Sequence, residues 1–157
     1  MKFTDYILID AITPELKATD KEGVICEMVQ SLVGASGIKQ EDYEGIVKAL
    51  IKREELGSTG IGRGIAVPYT KHPSTKHPIS AVAISTGGVD FDSLDGEMVY
   101  LFVMTLSPTD SPASELRVMK HLTRRLKDDT LCRFLMQSKT REAIFTLLEE
   151  DDSKERR

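Results

Sequence analysis

Apolar residues recur three and four apart over two stretches in the first third of the chain. Val24, Ile25, Met28, Val29, Leu32 and Val33 form the first stripe, and that period predicts an amphipathic helix. Thr19-Asp20-Lys21-Glu22 precedes it, with Thr19 read as N-cap and Glu22 completing a capping box. Gly34-Ala35-Ser36-Gly37 ends it. Tyr43, Ile46, Val47, Leu50 and Ile51 make a second stripe, which predicts a helix from Lys39 to Glu55 with Gly57 just past its end. The period then changes. Ile65-Ala66-Val67 is a short apolar run stopped by Pro68, which has no N–H for a sheet ladder. Ile79 to Thr86 alternates, and Met98 to Leu106 is almost continuously apolar, as in a strand buried on both faces. Helical spacing returns with Leu116, Met119, Leu122 and Leu126, in a helix capped by Ser111 and running from Pro112 to about Lys127. A short helix over Asp129 to Met136 and a last one over Thr140 to Leu148 follow. Met1 to Leu16 reads as a short helix or extended arm before a short strand. Helices, then strands, then helices predict an α/β sandwich, its strands too unevenly linked for a purely parallel sheet.

Composition narrows this little. The 157 residues suit one domain over 1–150, followed by a charged tail, 151–157, expected to be solvated and frayed. A net charge of −4 with mixed signs argues against a nucleic-acid partner. No stretch approaches the roughly 20 apolar residues of a membrane span, and the N-terminus lacks a signal-peptide pattern, so a cytoplasmic protein is expected. Cys26 and Cys132 sit in apolar helical patterns and read as buried reduced thiols. The repeated Lys-His-Pro at residues 71–73 and 76–78 must be a loop, and His72 with His77 supplies too few ligands for a metal. No metal and no cofactor are expected. His121 falls on a helix face with Ser114, Arg117 and Arg124 and is expected in solvent.

The chemistry concentrates between Gly57 and Thr70. Gly57, Gly60, Gly62 and Gly64 permit positive φ and close backbone approach. Ser58 and Thr59 add hydroxyls, Arg63 a charge, and Tyr69 follows the strand-ending Pro68. Arg53 and Glu54 lie one turn upstream, within reach of this loop. The segment Arg53-Glu54, then Leu56-Gly57-Ser58-Thr59-Gly60-Ile61-Gly62-Arg63-Gly64-Ile65-Ala66-Val67-Pro68, resembles the signature of EIIA type-2 domains of the phosphotransferase system, the fructose, mannitol and nitrogen-regulatory kind. Phe91 to Val99 and Leu101 to Asp110 continue the resemblance, which spans roughly Asp5 to Glu149.

The resemblance implies a three-layer sandwich, a small mixed β-sheet with helices on both faces. It also implies a histidine directly after the proline, where the phosphoryl group is carried, and a second histidine near the start of the following helix. Here the first position is Tyr69 and the second falls at Glu115. Imidazole passes a phosphoryl group on, whereas a phenol would form a stable ester. The family's pattern places Arg53, Ser58, Thr59 and Gly60 around the phosphoryl oxygens, as a site for a phosphate or sulfate ion. The expectation is therefore a regulatory or binding domain with lost or reduced phosphoryl transfer, resembling most the nitrogen-regulatory proteins that stand alone without a transporter. Its partner would be a protein, either a histidine phosphocarrier or a regulated target. The alternative is an active phosphocarrier of the sugar phosphotransferase system that uses His72 as a displaced histidine. A further expectation is that Glu115 pairs with Arg53 or accepts the Tyr69 hydroxyl, so holding the site in one fixed state.

Overall fold

The computed structural model describes residues 1–155. Five helices and six strands follow in the order β1 (Ile7–Thr13), α1 (Lys21–Gly34), α2 (Tyr43–Glu55), β2 (Gly60–Gly62), β3 (Ile65–Ala66), β4 (Tyr69–Lys71), β5 (Ile79–Val89), β6 (Val99–Ser107), α3 (Pro112–Arg125), α4 (Asp129–Gln137) and α5 (Arg141–Glu155). Short 3-10 turns at Phe3–Asp5 and Gln40–Asp42 precede β1 and α2. The sheet order is β1-β5-β6-β3-β2, with β4 also on β6. It is mixed: β1 runs parallel to β5, β5 antiparallel to β6, and β3 and β4 both parallel to β6.

The pleat of β5 and β6 divides the core. Ala81, Ala83, Phe102 and Met104 face one way, packed on Met28, Leu32, Ile46 and Leu50 of α1 and α2. Val82, Ile84, Leu101 and Val103 face the other, on Val118, Leu122, Leu135 and Ile144 of α3, α4 and α5. Both central strands are covered on both faces, which is why β6 reads as a continuous apolar run, while β5, expected to alternate, is buried at every position from Ile79 to Ser85. The result is a three-layer α/β sandwich.

Several details differ from the sequence reading. Asp20, not Thr19, caps α1, its carboxylate accepting from the Gly23 amide at 2.8 Å. The first turn of the expected second helix is a separate 3-10 turn, so α2 begins at Tyr43. The tail is not frayed: α5 runs through Glu155, and Asp151 and Asp152 are buried. Asp151 makes a two-point ion pair with Arg125 at 2.8 and 2.5 Å. Asp152 accepts from the amides of Phe3 and Thr4 at 2.7 and 3.2 Å. Residues 156 and 157 of the expected tail lie outside the described residues. His121 is buried, not solvated, with its Nδ1 2.8 Å from the Tyr6 hydroxyl and its ring edge-on to Phe3. Among the described residues no helix is long and apolar enough to cross a membrane.

Candidate functional site

The glycine-rich stretch folds as a tight β2–β3 hairpin followed by β4. Gly60 is needed where it stands, since a Cβ there would meet the Ser93 Cβ at 2.9 Å. The hairpin tip turns through Arg63 at φ 58° and Gly64 at φ 78°. Arg63 is held in that unfavourable region by its amide on the Asp95 carboxylate, 3.2 Å, and by guanidinium bonds to Asp129 and the Leu126 carbonyl, both 2.5 Å. The loop is thereby tied to the end of α3 and the start of α4.

The hydroxyls expected to face an anion are committed elsewhere. Ser58 donates to the Phe91 carbonyl at 2.6 Å and accepts from the Gly60 amide at 3.0 Å. Thr59 donates both its hydroxyl and its amide, the latter at 3.1 Å, to the carboxylate of Glu54. Glu54 is itself buried and paired with Lys21 at 3.0 Å. Ser58, Thr59 and Gly60 are thus brought to the site's edge, but with these donors turned inward to shape the loop. A buried carboxylate with a cation and two further donors is well compensated, which lets Glu54 serve as the loop's anchor.

Tyr69 and Lys71 are two apart on β4, so both side chains leave the same face of the sheet. That face belongs to α3: their β6 partners Thr105 and Ser107 are in phase with Leu101 and Val103, which pack on α3 and α5. Lys71 pairs there with Glu115 of α3 at 3.2 Å. The Tyr69 ring lies under the Arg53 guanidinium, 4.8 Å from the ring centroid. Arg53 also donates to the Gly57 carbonyl at 2.9 Å. Tyr69 and Glu115 line one cleft of about 400 Å³ with Pro112, Leu116 and Met119. Two residues of one short strand therefore bridge to two helices, Tyr69 to the end of α2 and Lys71 to the start of α3.

The partner of Glu115 is Lys71, not Arg53 or the Tyr69 hydroxyl. The reason is the pleat: Lys71 stands on the α3 side two residues past Tyr69, while Arg53 reaches the ring from the end of α2. The Glu115 side chain keeps 15% of its surface exposed and lines the cleft. His72 takes the opposite face. Its Nδ1 accepts from the Ser74 amide at 3.1 Å, and its Nε2 lies 3.6 Å from where a Cβ on Gly45 would stand. Gly45 and Arg53 are eight residues apart, about 12 Å along a helix. His72 is therefore not part of the Tyr69 cleft. Sequence reasoning missed Lys71 and Lys21. The period-two relation of Lys71 to Tyr69 was visible, but only once residues 69–71 are known to be a strand.

Comparison with known proteins gives the same fold and a family match. Residues 5–151 match the family described as "Phosphoenolpyruvate-dependent sugar phosphotransferase system, EIIA 2". The chain is 29% identical over 148 residues to a nitrogen regulatory protein of Bradyrhizobium diazoefficiens, covering 94% of this chain and 95% of that one. It is 31% identical over 152 residues to the fructose-specific EIIABC component of Bacillus subtilis, covering 97% of this chain but only 24% of that protein. The crystal structure of the nitrogen regulatory protein IIA-Ntr from Neisseria meningitidis superposes with a TM-score of 0.81 at 24% identity, covering 92% of this chain and 97% of that one.

Proposed function

The chain belongs to the EIIA type-2 family of the phosphoenolpyruvate-dependent sugar phosphotransferase system, and from that premise we propose that it acts as a regulatory domain that binds a protein partner, with phosphoryl transfer lost or reduced. One observation carries this reading. The side chain that leaves the end of the glycine-rich motif is a tyrosine, and its ring is stacked against Arg53. A phenol there lacks the imidazole nitrogen that both takes and releases a phosphoryl group. The second altered position, Glu115, is an anion tied to Lys71. The cleft thus carries a fixed arrangement of charge in place of one that alternates with phosphate. Partners of such a domain would read that fixed arrangement through the same cleft, as a constant signal. His72 offers poor support for a displaced relay. It sits on the other face of the sheet, and its Nδ1 is engaged by a backbone amide.

The test is direct. The protein is incubated with a phosphorylated histidine carrier of the phosphotransferase system and its intact mass is measured. No gain is expected. A stoichiometric, acid-labile gain of one phosphate overturns the reading, and its loss in His72→Ala would assign the acceptor to that ring.

A further inference from the structure

The outer face of α4 and α5 carries a groove that has no part in the Tyr69 cleft. α4 ends at Gln137 and α5 begins at Arg141, and the two helices pack on each other. Their groove holds two recesses in a row, of about 300 and about 470 Å³. Phe134 of α4 and Leu147 of α5 wall both of them. Phe134 is therefore a knob between two hollows. It is 50% exposed, although Leu131 and Leu135 of the same helix are buried. Charge is left over on both helices. The Arg133 guanidinium leans on the Phe134 ring, 5.9 Å from its centroid. Glu150 walls the first recess, one turn past Leu147 on α5, and Asp128 and Lys154 stand at that recess too. Among the described residues, Arg133, Glu150 and Lys154 have no ion-pair or hydrogen-bond partner.

We propose that this groove is the interface of a weak two-fold dimer, occupied by the same groove of a second copy of the chain. A two-fold axis lying along the groove sets α4 of each copy on α5 of the other. Phe134 then meets the partner's Leu147, Arg133 meets the partner's Glu150, and Lys154 meets the partner's Asp128. Two features select a second copy as the occupant. Knob and hollows share one face, so the surface complements itself, as an isologous contact requires. The spare cation of α4 and the spare anion of α5 lie on the two helices that the axis exchanges, so each finds its counter-charge in the other copy. A wholly basic or wholly acidic segment would satisfy one of them and repel the other. The area sets the strength. Helices of 9 and 15 residues present a face of at least about 400 Å² per copy, or about 800 Å² in total, which suits a weak, reversible pair. None of the five residues in these contacts lines the Tyr69 cleft, so each copy brings its own cleft to the pair.

The experiment is sedimentation equilibrium of the full chain from about 10 μM to about 1 mM, the range in which so small an interface associates. The average mass should rise with concentration towards that of two chains. Phe134→Ser should hold the chain at one copy over the same range. Arg133→Glu and Glu150→Arg should each weaken association about tenfold, since the pair occurs twice across the axis and an exposed pair is worth a factor of roughly two to five. The double variant Arg133→Glu, Glu150→Arg restores the pair with its charges exchanged and should recover most of the loss. All four positions of substitution are on the surface, and circular dichroism checks that each variant keeps its helices. A chain that stays single throughout leaves the groove to some other protein and overturns the proposal. So does a dimer that survives Phe134→Ser, or a double variant as weak as the single ones. The measurement uses the chain alone and involves no phosphate, so the dimer can be disproved while the proposed function stands, and the reverse.

Discussion

Ser58 shapes the glycine-rich loop from within. Its hydroxyl is used twice, to the Phe91 carbonyl and from the Gly60 amide. Arg53 keeps guanidinium surface over Tyr69 after its single bond to Gly57. The two residues should therefore respond differently to an anion. Millimolar phosphate or sulfate is expected to raise the melting temperature by binding the native state. Arg53→Ala should remove that rise, whereas Ser58→Ala should keep it and lower the baseline stability by about 1 kcal/mol. Asp95 gives a pH test. Its carboxylate accepts from the Glu97 amide at 3.0 Å and the Arg63 amide at 3.2 Å, which hold its pKa below the usual 3.8. A folded pKa below the unfolded one adds stability that is present above the unfolded value and lost as pH falls through the folded one. Denaturant titrations should show wild type and Asp95→Asn converging as pH drops below about 4. At this scale the motif marked Tyr69, and Glu115 came from a count along the chain; the two line one cleft. The sequence was misleading for His121, because helical spacing alone cannot show that the N-terminal Phe3 and Tyr6 cover a polar face from outside.

The elements that carry apolar stripes, α1, α2 and α3, were visible from their period, as were β5 from its alternation and β6 from its continuity. The three short strands β2, β3 and β4 were harder. Glycine and proline dominate that region, and only the neighbouring β6 turns Tyr69–Lys71 into a strand. The end of α5 was hidden for another reason. Glu149-Glu150-Asp151-Asp152 reads as a solvated acidic run, yet two of its carboxylates are buried and bonded to partners far away in sequence. This makes a stability prediction at the level of α3 and α5. Arg125→Met leaves Asp151 buried without its two-point partner. Removing one member of such a pair should cost about 3–5 kcal/mol in urea unfolding. A loss below about 1 kcal/mol would mean that the pair is effectively solvent-screened.

Across the whole molecule the two cysteines report on different depths of the sandwich. Cys132 is buried, donates to the Leu126 carbonyl at 3.3 Å, and burial pushes its thiol up to about 11. Cys26 is only half-buried on α1. Since the thiolate is the reactive form, iodoacetamide at about pH 8 should label Cys26 alone in the native protein, and Cys132 only after unfolding. Equal labelling rates on peptide mapping would contradict the closed α4–β6 layer. The overall α/β layering was legible because the change from helical to strand spacing is itself a statement about layers, while the pairing order was not, since it depends on contacts between distant strands. One such contact has a consequence for how the protein is made. The Phe3 amide and the Asp152 carboxylate are 149 residues apart in sequence. A chain emerging from the ribosome holds its first turn without that carboxylate until Asp152 itself is clear. The first strand can pair with β5 earlier, but the clasp over it closes last. Native completion of this region therefore waits for nearly the whole domain to be clear of the ribosome.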